Sequence, residues 1–364
     1  MGKQSELRVG MIGCGGIAGG KHLPSLAKLS AVKMVAFCDI IEERAAKHAG
    51  QYGVKGANVY KDYRAMLAAE KLDVAHVCTP NISHAEITVA ALEAGCHVMC
   101  EKPMAKTAEG ARLMAAAAKR TGKKLTIGYQ NRFRTDSQYL KRYCEQGALG
   151  EIYFAKAHAL RRRAVPTWGV FLDEEAQGGG PLIDIGTHSL DLALWMMDNY
   201  TPEYAVGVTY HKLGQRKNSA NAWGSWDPKK FTVEDSAFGF VKMKNGATIF
   251  VETSWALNVR TDGEAICTLC GTEGGSDMWD GLHINGERFS KLCVEKAQLE
   301  PGSVAYYSGD EESCHDMEAR LWIEAVVEDK APVVLPEQAL VVTEILEAIY
   351  TSNTTGKPVY FTAS

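Results

Sequence analysis

Near its start the chain carries Gly13-Cys14-Gly15-Gly16-Ile17-Ala18. A G-x-G-x-x-A run between a strand and a helix can bring backbone N–H groups against a pyrophosphate. Gly13 permits the tight turn, Gly15 lets the backbone approach the phosphates, and Ala18 is small enough to pack the helix on the strand. Gly16 and Ile17 complete the turn. A glycine turn without a ligand has the same letters, so the next strand has to decide. It ends at Asp39, about 20 residues on, where a carboxylate can hold a ribose 2′-hydroxyl. Ile40 and Ile41 follow, and neither offers a cation to a 2′-phosphate. The expected cofactor is NAD rather than NADP.

Asp184 and His188 form a second candidate pair. Four residues apart at the start of a predicted helix, they share one face. The preceding Gly178-Gly179-Gly180-Pro181 is flexible and then stiff, a natural lead into such a helix. A neutral imidazole in that place can accept a proton. An N-capping Asp beside a structural His gives the same spacing. A metal would need a third ligand that the sequence does not single out, so no metal is expected. Cys267 and Cys270 read C-x-x-C, but EAICTLCGTEG reads as a strand running into a glycine turn. Thiols three apart on a strand point to opposite faces, so neither redox nor metal chemistry is expected there.

The elements that must hold these groups follow from periodicity. LRVGMIG, VKMVAFCD, the run ending at Thr79-Pro80, CHVMCEKP and KLTIGYQ read as strands, with helices between them. That alternation predicts right-handed βαβ units and a parallel sheet. After about Tyr129 the pattern changes to aromatic and β-branched strands: EIYFAKAHAL, EYAVGVTYHKL, DSAFGFVKMK with ATIFVETSWAL, and GEAICTLCGT. Lys244-Asn245-Gly246 joins two of them as a hairpin. The expected fold class is therefore α/β, a doubly wound parallel sheet followed by an α+β domain with a large, mostly antiparallel open sheet. The domains are placed at 1–127 and 128–364, with the last helix, PEQALVVTEILEAIYTSN, able to pack back on the first domain.

The 364 residues are 46% hydrophobic and 23% charged, enough apolar material for two globular cores. A net charge of −4 gives no electrostatic reason to expect nucleic acid. Arg161, Arg162 and Arg163 are one short basic run, which reads as a solvated loop. No apolar run approaches the ~18 residues that span a bilayer, and the first residues lack a signal-peptide core. Ten scattered cysteines fit a reducing compartment. A cytoplasmic protein without membrane partners is expected.

Five segments, GMIGCGGIAGGKHLP, CTPNISHAEI, HVMCEKPMA, GYQNRF and GGGPLIDIGTHSLDLALWMMD, resemble those of the glucose–fructose oxidoreductase and inositol dehydrogenase (Gfo/Idh/MocA) family, in family order and from end to end of the chain. The resemblance implies hydride transfer between NAD and a secondary ring alcohol of a sugar, glycoside or cyclic polyol, with a lean toward glucosyl C3. It implies that Lys102, in Glu101-Lys102-Pro103, hydrogen-bonds the reacting hydroxyl, that His188 is the acid/base and that Asp184 stands beside them. Pro103 is expected as a cis-peptide site that aims Lys102. Thr79, Pro80, Asn81 and His84 match the family's loop against the nicotinamide ribose; Glu101, Gln130 and Arg132 join the cofactor set. Tyr129, Arg161 and Trp168 are candidates for the substrate side, Trp168 as a flat platform for the C–H face of a sugar. The family also implies a homo-oligomer (dimer, tetramer or hexamer) through the sheet face. Two other activities occur on such scaffolds: glycoside cleavage with NAD retained through transient oxidation, and NAD sensing without catalysis.

Overall fold

The computed structural model describes residues 6–299 and 312–362. The chain divides into two compact units, residues 1–130 with 312–340, and 131–311 with 341–364.

The first unit is built on Leu7–Ile12 (β1), Val32–Cys38 (β2), Asn58–Tyr60 (β3), Val74–Val77 (β4), His97–Cys100 (β5) and Leu125–Ile127 (β6). All pair in parallel, in the order β3-β2-β1-β4-β5-β6. That is the doubly wound arrangement, and its order reverses between β1 and β4, where such sheets bind ligands. The strands are apolar almost throughout because helices cover both faces: every residue of β4 is buried. The short edge strand β3 has no apolar run of its own, so periodicity does not reveal it; it forms by pairing with β2. A helix that the sequence patterns did not single out, Cys314–Val327, returns to this unit and buries Ala319, Trp322 and Ile323 in its core.

The second unit carries a nine-stranded sheet. Its strands are Ile152–Leu160 (β7), Pro202–Tyr210 (β8), Ser236–Met243 (β9), Thr248–Ser254 (β10), Gly263–Gly271 (β11), Gly275–Asp277 (β12), His283–Arg288 (β13), Lys291–Lys296 (β14) and Val359–Tyr360 (β15). The order is β14-β13-β12-β11-β7-β10-β9-β8-β15, antiparallel except where β10 runs parallel to β7. β9 and β10 form the hairpin expected at Asn245-Gly246. One face packs under helices Thr187–Met197 and Pro336–Thr355. Gly207 and Gly239, paired across β8 and β9, seat Ile349 of the latter helix: a Cβ on either would lie 2.5 or 2.6 Å from it. The other face shows an aromatic row, with Phe250 edge-on to both Phe154 (5.6 Å) and Phe240 (5.5 Å), and Tyr204 stacked on Phe240. Among the described residues no helix is long and apolar enough to cross a membrane.

Candidate functional site

The glycine turn follows β1 directly. Gly13 has φ +88°, and a Cβ there would sit 2.5 Å from the Cys78 carbonyl oxygen, so backbone packs on backbone. Gly15 and Gly16 are the opposite case: a Cβ on either meets no atom within 4 Å. The backbone between them faces open space at the start of a helix, which is the cradle a pyrophosphate requires. Ala18 is fully buried, as the packing position demands. Residues Ala18–His22 form a widened π-helical turn before the α-helix begins.

Asp39 stands at the end of β2. Its carboxylate accepts the Cys14 N–H (2.8 Å) and the Ile41 N–H (2.8 Å). The acid thus braces the glycine turn as well as ending the strand, a second task that spacing does not reveal. Burial, then the Asp39 charge, pushes the Cys14 thiol up to about 12, so it stays protonated and inert. Open glycines, a braced acid and a helix start fit a dinucleotide.

The loops after β4 and β5 lie on the same carboxyl edge of the sheet. Thr79, Pro80 and Asn81 follow β4, and Asn81–Ser83 is a 3-10 turn. His84 is fully buried. Its ring nitrogens lie 2.8 Å from the Thr79 carbonyl and 2.8 Å from the Pro103 carbonyl. It therefore ties the two loops together from inside the unit instead of lining a cofactor surface. The Lys102–Pro103 peptide is cis. Glu101 Oε1 pairs with His22 Nε2 at 2.6 Å, and Glu101 Oε2 accepts the Lys102 backbone N–H at 3.0 Å. Burial would raise the Glu101 pKa, but the hydrogen bond and charge of His22, with Lys102, outweigh it and hold the carboxyl at about 2. Tyr129 is fully buried, and Gln130 opens a 3-10 turn, Gln130–Phe133.

In the second unit, Asp184 and His188 stand on one continuous helical segment. Leu182–Gly186 is a π-helical turn and Thr187–Met197 an α-helix. The lead-in glycines are close-packed, which replaces the flexibility read from their sequence. Gly178 has φ +85°. A Cβ on Gly179 would fall 2.1 Å from the Tyr350 hydroxyl, and one on Gly180 would fall 2.2 Å from the Glu234 carbonyl. Glu234, which sequence reasoning missed, is buried and accepts the Gly180 N–H (2.8 Å), the Leu182 N–H (3.1 Å) and the Tyr350 hydroxyl (2.8 Å). It satisfies the N–H groups that a helix start leaves free. Burial pushes Glu234 up to about 7 against the pull of those donors. Asp184 Oδ2 accepts the Trp255 indole N–H at 3.1 Å, and His188 is buried.

Arg132 is fully buried and grips Asp191, on the His188 helix, through two bonds of 2.8 and 2.6 Å. Its guanidinium also lies over the Trp195 ring. The place it occupies is a brace for that helix. Arg161 makes a two-bond pair with Glu264 (2.6 Å each) and stacks on Trp223. Trp168 is 52% exposed, edge-on to Phe171 and Trp223; Phe171 in turn meets Trp255, the partner of Asp184. These rings form an aromatic wall leading outward from Asp184. Cys267 and Cys270 lie on β11 with opposite orientations, and both are free. Among the described residues no three His, Cys, Asp or Glu side chains are grouped so as to hold a metal ion.

Two family models match the chain. Residues 7–129 match an oxidoreductase family with an NAD-binding Rossmann fold, GFO/IDH/MocA, and residues 137–276 match the GFO/IDH/MocA C-terminal domain. The chain is 39% identical over 97% of both sequences to a D-glucoside 3-dehydrogenase of Escherichia coli. The chain belongs to the GFO/IDH/MocA oxidoreductase family. A second relative is a levoglucosan dehydrogenase of Pseudarthrobacter phenanthrenivorans, 29% identical over 79% of this chain and 76% of that one. Among solved structures, an oxidoreductase domain protein from Kribbella flavida superposes with a TM-score of 0.85, covering 99% of this chain and all of that one, at 23% identity. Its likeness speaks for the fold. The first unit of this GFO/IDH/MocA protein is thus an NAD-binding Rossmann unit.

Proposed function

We infer that this protein is an NAD-dependent dehydrogenase acting on a secondary ring alcohol of a sugar, glycoside or cyclic polyol. We propose a glucosyl unit oxidised at C3 as the substrate. The observation that carries the reading is the shared edge of the parallel sheet. The glycine turn after β1, the Thr79–Asn81 loop after β4 and Lys102 after β5 leave adjacent strands at their carboxyl ends, where such sheets bind dinucleotide and substrate. The 39% identity with a D-glucoside 3-dehydrogenase supports the substrate class.

Gly15, Gly16 and Asp39 hold the dinucleotide by its pyrophosphate and ribose, with Thr79, Pro80 and Asn81 on the nicotinamide side. When bound, NAD supplies the hydride acceptor. His188 takes the hydroxyl proton, Lys102 hydrogen-bonds the same oxygen and Asp184 orients the acid/base pair. Trp168 gives a sugar ring a flat apolar surface. The aromatic face of the second sheet supports a homo-oligomer, since monomers seldom leave such a patch uncovered. The ten cysteines, scattered and not in disulfides among the described residues, support a cytoplasmic protein.

The test is a panel of inositols, free sugars and glucosides with NAD, read by NADH absorbance, with the product ketone located by NMR. A glucoside giving NADH and a C3 ketone is the expected result. Glycoside cleavage without NADH release, or tight NAD binding without any turnover, would overturn it.

A further inference from the structure

Behind the Glu101–Lys102 turn lies a polar cluster that the proposed chemistry leaves unused. The return helix Cys314–Val327 lays Glu318 and Trp322 against β4 and the start of the helix after the glycine turn. They line a cavity of about 10 Å³ together with Lys21, His22, His76 and His315. Among the described residues, both ring nitrogens of His76, Glu318 Oε1 and Trp322 Nε1 are buried there without a hydrogen-bond partner. His76 and Glu318 are 1% and 6% exposed. The His76 ring meets the His22 ring edge-on at 5.5 Å, and His22 holds Glu101.

The donor inventory suits one small ligand. Trp322 can only donate, neutral His76 can present either its donor or its acceptor nitrogen, and a protonated Glu318 carboxyl offers one donor and an acceptor oxygen. A water molecule gives and takes two hydrogen bonds, and buried waters make about three. The cavity has room for one water centre.

We propose that Trp322, His76 and Glu318 hold a single water molecule in this cavity, and that this filled cluster keeps His22 on Glu101 so that Glu101 anchors the Lys102 backbone. The three are positioning residues. The inference rests on the reading of Lys102 as a reacting group. The cluster contains two buried carboxyls in unlike surroundings. Glu101 has His22 and a backbone N–H, and is ionised. Glu318 faces Lys21 and His22 from the helix after the glycine turn, His76 from β4, Glu101 from the end of β5 and His315 from its own helix; burial, then the Glu101 charge, raises its pKa well above the ordinary value. It keeps its proton, so one negative charge remains in the cluster and His22 stays with Glu101. Ionising Glu318 would set a second anion beside His22 and compete for it.

The test uses the full-length protein with NAD and methyl α-D-glucopyranoside, and the variants Glu318→Gln, Glu318→Leu and Lys102→Ala. Glutamine can still hold the water but cannot ionise; leucine cannot hold it. Glu318→Leu is expected to lower kcat about tenfold with KM for NAD unchanged, and Glu318→Gln to restore kcat to within about twofold of wild type. In thermal unfolding, the Tm of Glu318→Gln should gain on wild type as pH rises above the ordinary carboxyl value of 4.5, because a carboxyl whose native pKa is raised loses native stability as pH rises. An unchanged kcat in Glu318→Leu, or an equal loss in both Glu318 variants, overturns the positioning role. A Tm difference independent of pH overturns the protonated cluster. If Lys102→Ala keeps full activity the functional reading itself fails, and the two Tm series then decide the cluster alone.

Discussion

Two glycine-rich leads into helices, one in each unit, are built alike and used oppositely. Gly13–Gly16 and Gly178–Gly180 each run into a π-helical turn that continues as an α-helix. Each is braced by a buried carboxylate from a distant strand or loop that accepts two backbone N–H groups: Asp39 from Cys14 and Ile41, Glu234 from Gly180 and Leu182. In the first lead, Gly15 and Gly16 face open space. In the second, Gly179 and Gly180 press on Tyr350 and Glu234. One set of glycines leaves the backbone open, in the proposed reading for the dinucleotide. The other lets protein close on the backbone, which fixes the helix that carries Asp184 and His188. The letters are similar; what differs is whether a side chain fills the place of the missing Cβ.

Substitutions can break that comparison at several levels. The largest effect is expected at the side chains proposed to react, Lys102 after β5 and His188 on the helix behind the second lead. Lys102→Ala and His188→Ala should each lower kcat by about 10²–10⁴, with NAD affinity by titration little changed. Full activity in both would remove these residues from the chemistry. A smaller effect separates the two braces. Glu234 has its pKa raised from 4.5 to about 7. The stability linked to it is complete below pH 4.5 and is lost as pH rises through 7, by up to about 3 kcal/mol. Unfolding curves of wild type should therefore weaken across that window, and those of Glu234→Gln should not.

Alanine scanning of the glycines sharpens the contrast itself. Gly180→Ala should cost about 1–3 kcal/mol of stability through overpacking, seen in denaturant titration, with KM for NAD unchanged in what remains folded. Gly15→Ala should leave stability within about 0.5 kcal/mol while raising KM for NAD. The reverse pattern would mean that the open and closed leads have been misassigned. The smallest effect should come from the sheet surface, where Phe250→Asp is expected to shift the protein to a smaller species on size exclusion with little change in Tm.

Much of the first unit was legible because its signals are local. Strand, glycine turn and helix follow one another within about a dozen residues, and Asp39 ends the very next strand. The hairpin at Asn245-Gly246 and the last helix were readable for the same reason. The short strands β3, β12 and β15 were not, because pairing partners create them rather than their own composition. The helix Cys314–Val327 has a patterned sequence, but nothing in it states which unit it covers.

By itself, then, the sequence determined a parallel sheet with a glycine turn at its edge, an acid after the second strand, and a mostly antiparallel second sheet. It also placed Asp184 and His188 on one helical segment. Only the tertiary structure decided what surrounds those groups. Glu234 and Tyr350 reach the second glycine lead, Trp255 reaches Asp184, and His22 reaches Glu101. It also decided that His84 and Arg132 act as internal ties. These partners stand 5 to 116 residues apart in the chain, and most lie beyond the reach of any helical or strand period. Periodicity reports which face of an element is buried; which polar atom meets it there is settled by packing.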